Sequence, residues 1–205
     1  MPDPRIAAAI LAGGRGERLG SVNKALLDVG GRRIIDRVLT ALAGLEPILI
    51  CAGPNSFPAD IGVALVTDLP TPYAGPLAGV AAAVAALSAS VAPELLLTVA
   101  GDTPFFPHDF VERARRRLAH ADVVVAAYGE HDYPTNALWR FEALKSLPAA
   151  VFSGDAPKSL KRLIEGQRAQ RLDYAQSGSA NPFANANSPL DLDALRARAK
   201  AENPD

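Results

Sequence analysis

Along the first two-thirds of the chain, short apolar runs alternate with segments whose apolar residues recur at helical spacing. Residues 6–11 (IAAAIL) are apolar throughout and stop at glycine, which predicts a strand buried on both faces. Residues 47–52 (PILICA), 63–67 (VALVT), 94–100 (ELLLTVA) and 122–127 (DVVVAA) repeat the pattern. Between them, Ile34, Ile35, Val38, Leu39 and Leu42 fall on one helical face within residues 32–42. Residues 76–87 read as a small-residue helix able to lie close against a sheet. Residues 107–119 read as a helix with Asp109 near its start and Arg115 to Arg117 near its end, as the helix dipole prefers.

Strand and helix in alternation predict an α/β fold: a mostly parallel central sheet with helices on both faces and right-handed crossovers. Beyond residue 128 the rhythm loosens. Residues 129–140 (GEHDYPTNALWR) read as a turn into a strand carrying Trp139, residues 158–165 and 189–200 as helices, and residues 177–189 (SGSANPFANANSP) as a polar loop. No repeat and no long linker divides the chain, so residues 1–205 are expected to form a single domain.

Composition narrows the function classes. The 205 residues are 49% hydrophobic with a formal net charge of -1, so no global basic field is available for nucleic acid or an anionic membrane. Any anionic ligand has to be held locally. Cys51 is the single cysteine, which excludes an internal disulfide and fits a reduced, cytoplasmic setting. Residues 1–5 are not a basic leader region, and residues 76–92 (PLAGVAAAVAALSASVA) are too weakly apolar to be expected to span a membrane. His108, His120 and His131 lack metal-ligand spacing, Arg113 to Arg117 suit a solvated helix face, and Cys51 and Trp139 suit the core.

In an open parallel sheet, ligands bind beyond the carboxyl ends of the strands. Three polar loops are expected there: residues 11–20 (LAGGRGERLG), 67–79 (TDLPTPYAGPLAG) and 100–107 (AGDTPFFP). The first is not a dinucleotide fingerprint. Gly14 and Gly16 fit, but Leu19 stands at the third glycine position, and no acid ends the second strand. Nor is it a P-loop, since Lys24 lies between Asn23 and Ala25. A phosphate cradle of another kind remains, with Gly13, Gly14 and Gly16 admitting backbone N–H groups to phosphate oxygens and Arg18 and Lys24 supplying charge. Taken alone, the same glycines would suit a plain strand-to-helix turn. Asp102, at the mouth of a strand with no charge after Glu94, is placed where Mg2+ would meet a polyphosphate; alone, it would also suit an Asx turn.

The combination of Leu11-Ala12-Gly13-Gly14, Arg18, Lys24, Asp68, Gly75-Pro76-Leu77-Ala78-Gly79, Asp102-Thr103-Pro104 and residues 183–189 (FANANSP) resembles the molybdenum cofactor guanylyltransferases, over about residues 6–195. Two positions depart from that pattern: Asn23 stands where the family usually has aspartate, and Cys51 where it often has asparagine. The resemblance implies a three-layer Rossmann-like nucleotidyltransferase fold, with a nucleotide-binding part over roughly 6–127 and an acceptor-binding part over 128–195.

It implies GTP and molybdenum-bound molybdopterin as substrates, Mg2+ as cofactor, and transient contacts with cofactor-delivery and molybdoenzyme-maturation proteins. It also implies site roles: Arg18, Lys24 and Asp102 in catalysis, with Asp102 on the metal. Leu11 to Gly14, Lys24, Asp68, Gly75 to Gly79 and Asp102 would bind nucleotide, and Asn185 and Asn187 the acceptor. Two rival functions stay open: a related nucleotidyltransferase using CTP or a sugar-phosphate acceptor, and a non-catalytic nucleotide-binding adaptor.

Overall fold

The computed structural model describes residues 4–13, 15–16, 22–53, 57–58, 61–67, 69, 75–90 and 92–202. The predicted apolar runs are strands β1 (Ile6–Leu11), β4 (Ile48–Ala52), β5 (Ala64–Thr67), β6 (Leu95–Ala100) and β7 (Val123–Tyr128). With β8 (His131–Arg140) and β9 (Ala169–Asp173) they form a seven-stranded sheet in the order β5-β4-β1-β6-β8-β7-β9. Within this sheet only β8 runs antiparallel to its neighbours β6 and β7; its other pairings are parallel. A second, two-stranded ribbon pairs β2 (Arg15–Gly16) with β3 (Val22–Asn23).

Alternation along the central strands divides the core into two layers. Ile6, Ala8 and Ile10 of β1 and Leu95, Leu97 and Val99 of β6 face one side, where α1 (Ile34–Ala41), α3 (Phe110–Arg117) and α6 (Pro189–Glu202) cover them. Ala7, Ala9 and Leu96 face the other, under α2 (Pro76–Ser88), α4 (Leu147–Ser153) and α5 (Leu160–Glu165). Full burial of a side chain such as Ile10 is worth about 1.5–3 kcal/mol, so both layers draw on the apolar runs that the sequence displays. α2 is apolar all round because it is enclosed between the sheet and α4; its Ala81, Ala82 and Ala83 are buried small side chains.

Several expectations are corrected. The first helix begins at Ile34, because Arg33 is extended and bridges Asp28. The helix expected over 107–119 is α-helical only from Phe110 to Arg117, followed by a 3-10 turn, Leu118–His120. Asp109 stands at its N-terminus as expected, and its carboxylate accepts from the Tyr174 hydroxyl at 2.8 Å. Arg113 is not a simple solvated residue, since its guanidinium stacks 4.1 Å from the Tyr174 ring centroid. In the loosely patterned part, α4 and β9 carry no prediction. β9 is the outermost strand and alternates only weakly, with Ala169, Gln170 and Arg171 all exposed.

No helix among the described residues is long and apolar enough to cross a membrane.

Candidate active site

The chain runs from β1 outward through β4 and β5, then returns through α2 to β6 on the other side of β1. That reversal leaves a crevice at the carboxyl ends of β1 and β6, the place where open α/β sheets bind ligands. Leu11 and Ala100 are paired in register there. A cavity of about 270 Å³ opens at this point, lined by residues of all three loops expected to converge.

The first loop supplies Leu11, Ala12 and Gly13 to its wall, and the segment that follows it Asn23, Lys24 and Ala25. β3 delivers Asn23, whose side-chain oxygen accepts from the Ala25 N–H at 3.0 Å and caps the 3-10 turn Lys24–Leu26. The turn orients Lys24, whose Nζ lies 3.4 Å from Asp102 Oδ2 and donates to Asn187 Oδ1 at 2.7 Å. The second loop supplies Gly75, Pro76 and Gly79. Gly75 has φ of +81°, a conformation open to glycine, and turns the chain into α2 with Pro76 in its first turn. Leu77 and Ala78 are buried outside the cavity wall, Leu77 within the core layer under α2.

The third loop supplies Ala100, Gly101 and Asp102. Gly101 is there because of a close approach: a Cβ would lie 2.9 Å from the Ala12 Cβ. The Gly101 N–H donates to the Leu11 carbonyl at 2.9 Å, locking the loops after β1 and β6 together. Burial pushes the Asp102 carboxyl above the usual carboxylate range, and the ammonium of Lys24 opposes that shift. Both side chains retain 19% exposure, which opens them to a ligand in the cavity.

The late polar loop also reaches the cavity. Asn185 lines the cavity, and its Oδ1 accepts from Asn187 Nδ2 at 2.9 Å. Ser188 and Asp191 anchor this segment to the start of α6, with the Ser188 hydroxyl donating to Asp191 Oδ2 at 2.8 Å. Phe183, buried among Phe106, Phe110, Tyr133 and Tyr174, ties the loop to the core. Gly14, Arg18 and Asp68, also expected in the site, lie outside the described residues.

Thr135 and Cys51 line the cavity as well, and sequence reasoning gave neither a site role. Thr135 belongs to a bulge: Val125 pairs with Ala137 and Ala126 with Tyr133, leaving Pro134, Thr135 and Asn136 between. A proline inside an otherwise strand-like run is the signal that marks such a bulge.

Asp102 is the one acidic side chain lining the cavity among the described residues, and no group of three or more His, Cys, Asp or Glu there could hold a metal. Asp102 offers a hard carboxylate oxygen of the kind a divalent cation on a phosphate takes.

The family model of the MobA-like NTP transferase domain matches residues 8–173. A molybdenum cofactor guanylyltransferase of Rhodobacter capsulatus is 36% identical over 201 residues, 98% of this chain and 100% of that protein. One from Mesorhizobium japonicum is 32% identical, over 91% of this chain and 92% of that one. Among solved structures, molybdopterin-guanine dinucleotide biosynthesis protein A of Archaeoglobus fulgidus superposes with a TM-score of 0.75 at 18% identity, covering 95% of this chain and 99% of that one. The family model spans the strands and the three converging loops, the Rhodobacter protein also the late asparagine segment, and the chain belongs to the MobA-like NTP transferases, among the molybdenum cofactor guanylyltransferases.

Proposed function

We propose that this protein transfers GMP from GTP to the terminal phosphate of molybdenum-bound molybdopterin in the cytoplasm, releasing pyrophosphate. A phosphate-monoester oxygen of the acceptor attacks the α-phosphorus of GTP in line. A P–O bond forms there, the bond from the α-phosphorus to the bridging oxygen of the β-phosphate breaks, and its electron pair leaves on pyrophosphate. The acceptor oxygen is already anionic, so no protein nucleophile is required.

The protein's work is then to position and to neutralise charge. Lys24 and Arg18 meet the charge that grows on the departing pyrophosphate, helped by the N–H groups of Gly13 and Gly14. Leu11 to Gly13 and Gly75 to Gly79 frame the guanine, and Asp68 contacts the nucleoside. Asn185 and Asn187 present amide groups to the pterin or its phosphate. Mg2+ held by Asp102 would neutralise phosphate oxygens and align them for displacement. On this reading residues 6–127 bind nucleotide and 128–195 the acceptor, with transient docking of cofactor-delivery and molybdoenzyme-maturation proteins.

The observation that carries the reading is the position of Lys24. It bridges Asp102 from the nucleotide loops and Asn187 from the late loop, at one cavity. The test is a thermal-shift series with GTP, CTP, ATP and UTP, each with and without Mg2+, followed by pyrophosphate release with molybdopterin. Ligands of the folded state raise the melting temperature by mass action. A shift with GTP and Mg2+, with acceptor-dependent pyrophosphate release, is expected. A larger shift with CTP would move the substrate to that nucleotide, and nucleotide binding without turnover would make the protein an adaptor.

A further inference from the structure

We infer that Asn136, a residue outside the cavity wall, is a positioning residue for the transfer site: its side chain fixes the end of β6 on which Asp102 stands. The inference rests on the guanylyl-transfer reading for its kinetic readout.

The ladder between β6 and β8 runs from Leu95–Arg140 to Thr98–Ala137 and stops. The bulge at Pro134 to Asn136 then carries β8 out of register with β7. Ala100 sits beyond the last β6–β8 pair, with its N–H directed to the β8 side. A buried N–H must find an acceptor. Asn136, itself 1% exposed, provides it: Asn136 Oδ1 accepts from the Ala100 N–H at 2.9 Å. A side-chain amide thus replaces the strand carbonyl that the bulge removed.

Two further bonds hold this turn. The Gly101 N–H donates to the Leu11 carbonyl at 2.9 Å, and the Thr103 N–H to the Ala100 carbonyl at 3.4 Å. Both are main-chain bonds that any sequence could make. The Asn136 bond comes from a side chain of β8, outside the cavity wall, and it pins the residue two positions before Asp102. Without it, the bulge has no hold on the β6 end, and Asp102 shifts relative to Lys24 and the nucleotide loops.

The test compares Asn136→Leu, which keeps volume and removes the acceptor, with Thr98→Val. Thr98 is equally buried and joins the same two strands, through Trp139 Nε1 at 3.2 Å and the Ala137 carbonyl at 3.3 Å, but it lies farther from the site. For Asn136→Leu, kcat should fall at least ~10-fold, as a misplaced reacting group predicts. GTP affinity in metal-free buffer should stay within about twofold, because the contacts that do not pass through the metal are retained. Mn2+ affinity with GTP present, read by water-proton relaxation, should weaken about 10-fold, as for loss of an outer-shell support. Thr98→Val should lower the melting temperature and leave all three values unchanged.

The inference is overturned if Asn136→Leu keeps wild-type kcat and Mn2+ affinity, or if Thr98→Val reproduces both losses. Should Asn136→Leu fail to fold, Asn136→Ser decides by the same two readouts. If the wild-type protein transfers no GMP, the reaction reading has failed, and the Mn2+ comparison alone decides the role of Asn136.

Discussion

Lys24 Nζ lies 2.7 Å from Asn187 Oδ1, although 163 positions separate the two residues in the chain. The same ammonium is 3.4 Å from Asp102 Oδ2. One cation thus joins the beginning, middle and end of the sequence at the cavity. Lys24→Ala should lower turnover at least ~100-fold, the scale for losing one preorganised charge partner. Asn187→Ala leaves Lys24 its pairing with Asp102 and should act mainly on KM for the acceptor. Steady-state kinetics with each substrate varied separates the two effects; equal losses in both variants would show that Asn187 serves only to orient Lys24.

Asp102 is held at a cost to stability. Burial raises its pKa in the folded state, so the folded protein binds a proton more readily than the unfolded chain. The charged form present at neutral pH is therefore destabilising, and its cost fades as pH falls through the folded-state value. Asp102→Asn removes the buried charge. It should raise the melting temperature at pH 7 in metal-free buffer while lowering turnover at least ~100-fold. Calorimetry beside a turnover assay checks both, and a lower melting temperature would mean that the Lys24 pairing outweighs desolvation.

Asp122 makes the opposite case, far from the cavity. Hydrogen bonds from the Arg168 guanidinium, at 2.7 and 2.8 Å, hold its carboxyl at about 2. A depressed folded-state value gives stability that is complete above the ordinary carboxylate range and is lost as pH falls through about 2. Asp122→Asn should lower the urea midpoint at pH 6, and the gap should close as pH approaches 2. Arg168 is largely exposed, so the gap should also shrink in high salt. A gap unchanged from pH 6 to the acid limit would assign the effect to packing.

Gly101→Ala tests the contact between the loops after β1 and β6. The new methyl would meet the Ala12 Cβ at 2.9 Å and its Cα at 3.2 Å. Overpacking of this kind costs about 1–3 kcal/mol, and it should spread the two loops that frame the nucleotide. KM for GTP should rise about tenfold, equal to about 1.4 kcal/mol of lost binding, with a lower melting temperature. Unchanged KM with lowered stability would place the strain outside the nucleotide site.

The sequence by itself determined the strand-and-helix alternation of the first 128 residues, because buried parallel strands are apolar at every position. It also brought the loops that carry Gly13, Gly75 and Asp102 to one place, since they leave the sheet at its carboxyl edge, whereas Asn185 and Asn187 came only with the family resemblance. The tertiary structure alone decided the rest. β9 escapes periodicity because an outer strand is half exposed, and α4 because a short helix of seven residues gives little periodic signal. The roles of Gly101 and Asn136 depend on what stands opposite them. A glycine excluded from growing by Ala12, and an asparagine answering an N–H that a bulge left without a carbonyl, are properties of pairs of segments. They become visible only when distant parts of the chain are brought within a hydrogen bond of each other.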